Sequence, residues 1–208
     1  SVRDRRVTQG RMREVYKDLV LDPAMLDRLG PSMNSGKAIF VYGHAGTGKT
    51  YVTQRLARLF DDSVLVPHAI AVGETVIQLF DPTLHKPIEY PEPAVLLQDG
   101  HDPRFVRCRR PVVITGGELG PDMLEVQYDP ATRQYRAPLQ LKATNGMFIL
   151  DDLGRQRVAP EVVLNRWIVP MEEGRDYLSL GTGQHFSVLF DVILIFSTNL
   201  DPLELADE

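Results

Sequence analysis

Apolar residues between positions 11 and 29 recur at helical spacing: Met12, Val15 and Leu19, then Met25, Leu26 and Leu29, with a break at Asp22-Pro23. Helix is predicted on both sides of that break, and Gly30-Pro31 with Asn34-Ser35-Gly36 predicts a loop after it. Ala38-Ile39-Phe40-Val41-Tyr42 then forms a short apolar run rich in β-branched and aromatic residues, ending at a glycine-rich turn. Beyond the turn Val52, Leu56 and Leu59 return to helical spacing, with Arg55 and Arg58 directed elsewhere. The order is strand, loop, helix. Residues 63–66 suggest a second short strand.

The pattern changes over residues 70–140. Ala69-Ile70-Ala71-Val72 precedes the turn Gly73-Glu74 and an alternating stretch to Phe80 follows it, while residues 124–128 and 134–137 flank Asp129-Pro130-Ala131-Thr132. This predicts an antiparallel β decoration with proline-bearing loops at Pro87, Pro91 and Pro93. Regular alternation of strand and helix then resumes. Residues 147–150 and 192–196 are fully apolar, the second continuing as strand through Ser197, and 162–171 predicts a helix between them. Continuous apolar strands separated by helices indicate a parallel sheet covered on both faces.

Size and charge narrow the function classes. A chain of 208 residues fits one domain with a sizeable core, and 43% hydrophobic with 25% charged residues describes a globular protein. The net charge of −5 argues against a chain whose main task is coating nucleic acid, although Arg3, Arg5, Arg6, Arg11 and Arg13 form one basic cluster and Arg104, Arg107, Arg109 and Arg110 another. These read as solvated or subunit-contact faces, and a nucleic-acid partner has no specific support. Cys108 is the only cysteine, which excludes an internal disulfide. No apolar stretch approaches the roughly 18 residues that span a bilayer, and no secretory signal is visible, so a cytoplasmic location is expected.

The chemistry enters at Gly43-His44-Ala45-Gly46-Thr47-Gly48-Lys49-Thr50, a complete G-x-x-x-x-G-K-[ST] phosphate loop between strand and helix. Glycine at 43, 46 and 48 lets the backbone wrap a phosphate, and the row of N–H groups with the following helix terminus makes an anion cradle. Lys49 supplies a mobile charge for the β- and γ-phosphates, and Thr50 a hydroxyl for Mg²⁺. Ala45, Thr47, Tyr51 and His44 complete the expected nucleotide-binding stretch, His44 as a spacer. ATP and Mg²⁺ are the expected ligands. Met147-Phe148-Ile149-Leu150 then leads into Asp151-Asp152, which puts two acids at the carboxyl edge of the sheet beside the loop. Asp151 is the expected magnesium ligand and Asp152 the group that polarises the attacking water.

These motifs resemble those of AAA+ ATPases over residues from about 36 to 201. The resemblance implies a P-loop NTPase three-layer α/β fold with a parallel central sheet, an antiparallel β insertion at about 70–140, and a helical lead-in over 1–35. In that family the strand after the acids ends in a polar sensor. Ser197-Thr198-Asn199 resembles it, so Asn199 would contact the γ-phosphate or the lytic water. Asp151-Asp152-Leu153-Gly154 is similar to helicase loaders and transposase helpers of the DnaC and IstB type. Thr144 to Phe148, Met171 to Arg175, and a hairpin turning at Gly181-Thr182-Gly183 are similar to MoxR-like ATPases and enhancer-binding activators.

The chain departs from the family in two respects. Asp152 stands where most members carry glutamate, and the nine residues from Leu200 to Glu208 hold no arginine finger, fifth core strand or lid. The implied activity is ATP hydrolysis that remodels a macromolecular partner, in a homo-oligomer (a hexameric ring in this family) with protein partners. Arg155, Arg157, Arg166 and Arg175 are candidates to complete a neighbour's site, although each reads more simply as a surface or interface charge. A non-hydrolysing ATP switch and a monomeric P-loop NTPase or kinase stand as the alternatives.

Overall fold

The computed structural model describes residues 1–2, 4–88 and 102–201, so Arg3, Pro91, Pro93 and residues 202–208 lie outside the described residues. Four strands, β1 (Ile39–Tyr42), β6 (Val112–Thr115), β9 (Gly146–Leu153) and β12 (Val192–Thr198), form a central sheet in the order β1-β12-β9-β6. Every pairing in it is parallel, with Ile39 opposite Ile195, Phe196 opposite Leu150, and Ile114 opposite Ile149. β12 is buried at all seven positions, which is why it reads as an unbroken apolar run and not as an alternation.

Alternation along the strands divides the core. Met147 and Ile149 of β9, with Ile193 and Ile195 of β12, face α1 (Gln9–Val15), α2 (Pro23–Asn34) and α3 (Lys49–Leu56). Phe148, Leu150, Leu194 and Phe196 face α5 (Pro160–Glu173), where Trp167 is fully buried against Phe148 and Phe190. Three layers result: helices, sheet, helix. The architecture is the α/β P-loop NTPase fold.

The sequence expectations need two corrections. α2 does not stop at Gly30-Pro31 but runs through both to Asn34. Pro31 has no N–H to give the carbonyl one turn back, normally a breaker. Tertiary contacts override it: Gly30 sits 3.8 Å from Met12 Cγ, measured from where its Cβ would be, and the Asn34 amide exchanges two hydrogen bonds with the Val7 backbone at 2.7 and 2.9 Å. The second correction concerns residues 70–140. This segment is not purely an antiparallel decoration, because it contributes β6, an edge strand of the central parallel sheet.

The remaining β structure builds a separate unit. β2 (Ser63–Pro67) pairs with β5 (Phe105–Arg109), β3 (Ala69–Val72) with β4 (Thr75–Gln78), β7 (Gln127–Asp129) with β8 (Gln134–Arg136), and β10 (Arg175–Ser179) with β11 (His185–Leu189), all antiparallel. β4 and β8 pair in parallel, joining two of the hairpins into one sheet. Val66, Ile77, Leu79, Cys108, Leu141, Leu178 and Leu180 form its own core. The short α4 (Leu139–Lys142) leads from it into β9.

The amino ends of the sheet strands are tied together. Asn145, at φ 64°, donates its N–H to Asp191 O at 2.7 Å, and Met147 N–H donates to Pro111 O at 3.0 Å. Arg110 donates to Asn145 O at 2.6 Å and pairs with Asp62, also at 2.6 Å, which holds the Asp62 carboxyl below its ordinary range. The carboxyl ends of the same strands carry the candidate site.

Candidate functional site

At those carboxyl ends, three segments far apart in the chain converge. The loop after β1 and the first turn of α3 supply Gly43 to Thr50, β9 carries Asp151-Asp152 just before its last residue Leu153, and β12 ends one residue before Asn199. Gly46 and Gly48 take left-handed φ of 80° and 83°, conformations that disfavour any residue with a Cβ. No atom lies within 4 Å of where a Cβ would stand on either glycine, so the loop presents open backbone on that side. Gly48 caps α3 directly, which turns the amino end of that helix toward the cleft.

A cleft of about 510 Å³ is lined by Ala45, Gly46, Gly48, Lys49, Thr50, Tyr51, Gln54, Asp152, Arg155 and Asn199. Lys49 is turned back onto its own loop. Its ammonium donates to Gly43 O at 2.8 Å, His44 O at 2.9 Å and Asn199 Oδ1 at 2.7 Å, which uses all three protons. The last of these bonds spans 150 residues of chain and joins the loop after β1 to the end of β12. Thr47 donates to His44 O at 2.9 Å, so His44 takes part through its carbonyl.

The two acids are placed differently. Asp151 continues the side of β9 that carries Met147 and Ile149, the side covered by α3, and is not among the residues lining the cleft. Asp152 does line it. A bulge puts Asp152 at φ 53°, and the register between β9 and β12 shifts there, between Phe196 and Thr198. The bulge turns two consecutive acids out of simple alternation. Thr198 supports the turn by donating to Leu153 O at 2.8 Å while accepting from Leu200 N–H at 3.0 Å.

Sequence reading singled out neither Gln54 nor Arg155 as part of this chain's own cleft. Arg155 Nη1 lies 3.5 Å from Asp152 Oδ2, and the signal was its i+3 spacing from the acid. Tyr51, expected here, has a half-exposed ring with a guanidinium behind it. Arg55 Cζ sits 5.0 Å from the ring centroid and Nη2 donates to the Tyr51 hydroxyl at 2.8 Å. Arg55 is itself buried and donates to Val15 O at 3.1 Å, so this wall of the cleft is anchored to α1. Of the other arginines, Arg166 holds the buried Asp176 at 2.7 Å and Arg175 donates to Ser187 at 2.9 Å, while Arg157 is exposed.

The donor set fits a polyphosphate with a hard cation. Open glycine backbone, a helix terminus and an ammonium attract an anion, and the Thr50 hydroxyl in one cleft with the Asp152 carboxylate suits Mg²⁺. Among the described residues, no group of three or more His, Cys, Asp or Glu could hold a metal by itself. A cation here would therefore draw part of its shell from the phosphates it accompanies.

No family model and no curated protein sequence matches the chain. Solved structures do. One is a model of the complex between subunits BchI and BchD of magnesium chelatase, with a TM-score of 0.53 and 17% identity over 85% of this chain. Another is NtrX from Brucella abortus, with a TM-score of 0.50 and 14% identity over 95% of this chain. The chain spans 51% and 36% of those two chains, respectively. At such identities the likeness is one of fold, and it agrees with the P-loop NTPase architecture traced above. Among the described residues, no helix is long and apolar enough to cross a membrane.

Proposed function

We propose that this chain is the ATP-binding and ATP-hydrolysing core of an AAA+ type ATPase, coupling MgATP turnover to the remodelling of a macromolecular partner. The observation that carries the reading is the convergence of Lys49, Thr50, Asp152 and Asn199, from three separate segments, on one cleft at the carboxyl edge of a parallel sheet. Folds of this class serve many tasks, so the argument rests on the site.

In this reading the glycine-rich loop and Lys49 bind the phosphate tail and neutralise charge on its terminal oxygens. Thr50 and Asp151 would hold Mg²⁺, which when bound would supply charge neutralisation to the phosphate tail. Asp152 accepts a hydrogen bond from the attacking water and orients it, and Asn199 fixes its approach. Tyr51 and Gln54 line the wall next to the start of α3. An arginine from a neighbouring copy would complete the charge balance, a contribution of about 10³–10⁵ in rate. That implies a homo-oligomer, a ring in the family this chain resembles. We assign residues 36–208 to the ATPase core and 1–35 to its lead-in. The β structure at about 70–140 other than β6, which ATP chemistry does not require, is proposed as the place where a protein partner is recognised.

The test is MgATP hydrolysis per protomer as a function of protein concentration, with Lys49→Ala as the blank. Specific activity that rises with concentration supports sites completed between copies. A rate that is flat but above the blank indicates a self-sufficient NTPase. ATP bound without turnover at any concentration would sink the hydrolytic half of the proposal and leave an ATP-dependent switch.

A further inference from the structure

The loop after β9 is fixed in its backbone and free in one side chain. Arg155 N–H donates to Asp152 O at 3.0 Å, closing a turn. Gln156 clasps that turn: its Oε1 accepts from Gly154 N–H at 2.8 Å, and its Nε2 donates to Asp152 O at 3.3 Å and to Gly116 O, beyond β6, at 3.2 Å. Gly117 packs beneath, its Cβ position 3.1 Å from Arg155 O, so the two backbones run in close contact there. The Arg155 side chain, by contrast, is 66% exposed and holds only Asp152, itself 42% exposed, at 3.5 Å.

The energetics of that pair matter. An exposed ion pair at this distance contributes little, because water screens both partners and both side chains lose rotamer freedom. A guanidinium facing a multiply charged phosphate can instead make two parallel charge-assisted hydrogen bonds. The cleft that Arg155 lines also holds Lys49 and Thr50, the residues expected to carry the phosphate tail. The stronger acceptor, once present, should win.

We infer that Arg155 is a positioning residue acting within its own subunit: it neutralises Asp152 in the empty site and transfers to the terminal phosphate of bound nucleotide. The inference rests on the P-loop reading above. Two consequences follow from one movement. The chain distinguishes triphosphate from diphosphate, and the Asp152 carboxylate loses its cationic partner when a terminal phosphate is present. The sequence reads Arg155 most simply as a surface or interface charge, with a neighbouring copy's site as the other candidate role; the ion pair and the clasped turn favour its own cleft.

The experiment measures equilibrium binding of MgATP and MgADP to wild type, Arg155→Gln, Asp152→Asn, the double variant and Lys49→Ala, with thermal melts confirming that all are folded. Arg155→Gln should lose about tenfold in MgATP affinity, as expected for hydrogen bonds to a charged group, and keep MgADP affinity within about twofold. Asp152→Asn should tighten MgATP binding by releasing Arg155, by no more than about fivefold as an exposed pair allows, and that gain should vanish in the Arg155→Gln background. Equal losses for ATP and ADP, no loss, or a gain in Asp152→Asn that survives without Arg155 would each overturn the inference. Lys49→Ala separates the two levels. If it abolishes binding while Arg155→Gln changes nothing, only this inference fails; if it binds as wild type, the P-loop reading fails as well.

Discussion

Gly146 opens β9 where two backbones nearly touch. A Cβ built on it would lie 1.9 Å from Pro111 O and 2.9 Å from both the carbonyl carbon and Cδ of Pro111. The opposing atoms are mainly backbone, so no side-chain rotation can relieve Gly146→Ala. The strands must separate by about 1 Å to restore the roughly 3 Å that a real Cβ keeps. That movement stretches the Met147 N–H to Pro111 O bond beyond hydrogen-bonding distance from its present 3.0 Å. A buried amide left unpaired costs about 1–3 kcal/mol, and forced repacking of a tight core about as much again. For a chain of this size each kcal/mol lowers Tm by about 2–4 °C, so a drop on the order of 10 °C is expected. Scanning calorimetry of Gly146→Ala beside Gly181→Ala provides the assay. Gly181 has open space at its Cβ position and serves as the control, expected within about 2 °C of wild type. A Gly146→Ala protein melting as wild type does would refute the reasoning, because it would mean the two strand ends can part without loss.

Two further predictions follow from the site and the β unit. Tyr51→Ala should weaken MgATP binding by about 5- to 100-fold, the range for losing one aromatic stacking partner, and leave magnesium tripolyphosphate unchanged, with Tyr51→Phe close to wild type; equal loss for both ligands would show that the ring does not meet the base. His85 is buried, accepting from Asp81 N–H at 2.9 Å through Nδ1 and facing Lys142 O at 2.9 Å through Nε2, so its neutral form fits. Burial lowers its pKa, outweighing the Lys142 carbonyl and the Asp81 carboxylate, which act the other way, with the Lys142 ammonium adding to the lowering. Asp81, pushed up by burial but held down to about 2 by hydrogen bonds from Thr83 and Lys142, stays ionised across the acid range. A depressed histidine contributes stability that is present above its unfolded pKa of about 6.5 and lost as pH falls toward its folded value. Melting temperature should therefore decline on acidification from about pH 7 to 5, and a His85→Gln variant should show a flatter profile; identical slopes in the two proteins would rule out His85 as the source.

Legibility differed from element to element for physical reasons. β12 and the apolar half of β9 were visible because burial on both faces leaves no polar position to break the run. The phosphate loop was visible because its geometry requires particular residues at particular spacings. β6 was missed although Val112-Val113-Ile114-Thr115 is an apolar run; four residues between an arginine cluster and Gly116-Gly117 look like decoration until β9 pairs with them. α2 was cut short because Gly30-Pro31 is a local signal, and the contacts that overrule it come from Met12 and Val7. Asp152 and Arg155 were both visible as residues. Their shared cleft was not, since it depends on a bulge with a left-handed aspartate that no spacing rule encodes.

The bonding of Lys49 bears on how affinity at this cleft should be understood. Its ammonium is surrounded by three oxygens, from Gly43, His44 and Asn199, much as it would be by the oxygens of a phosphoryl group. On the proposed function, the protein thus carries an internal competitor for its ligand. Any anion must displace three good acceptors, and its measured affinity is the difference between two nearly matched sets of bonds. A single small anion gains little from such an exchange, whereas a polyphosphate that also engages the loop amides gains much. Such a displacement would release the Asn199 side chain from the ammonium as well, so occupancy of the loop and the freedom of that side chain would be a single event.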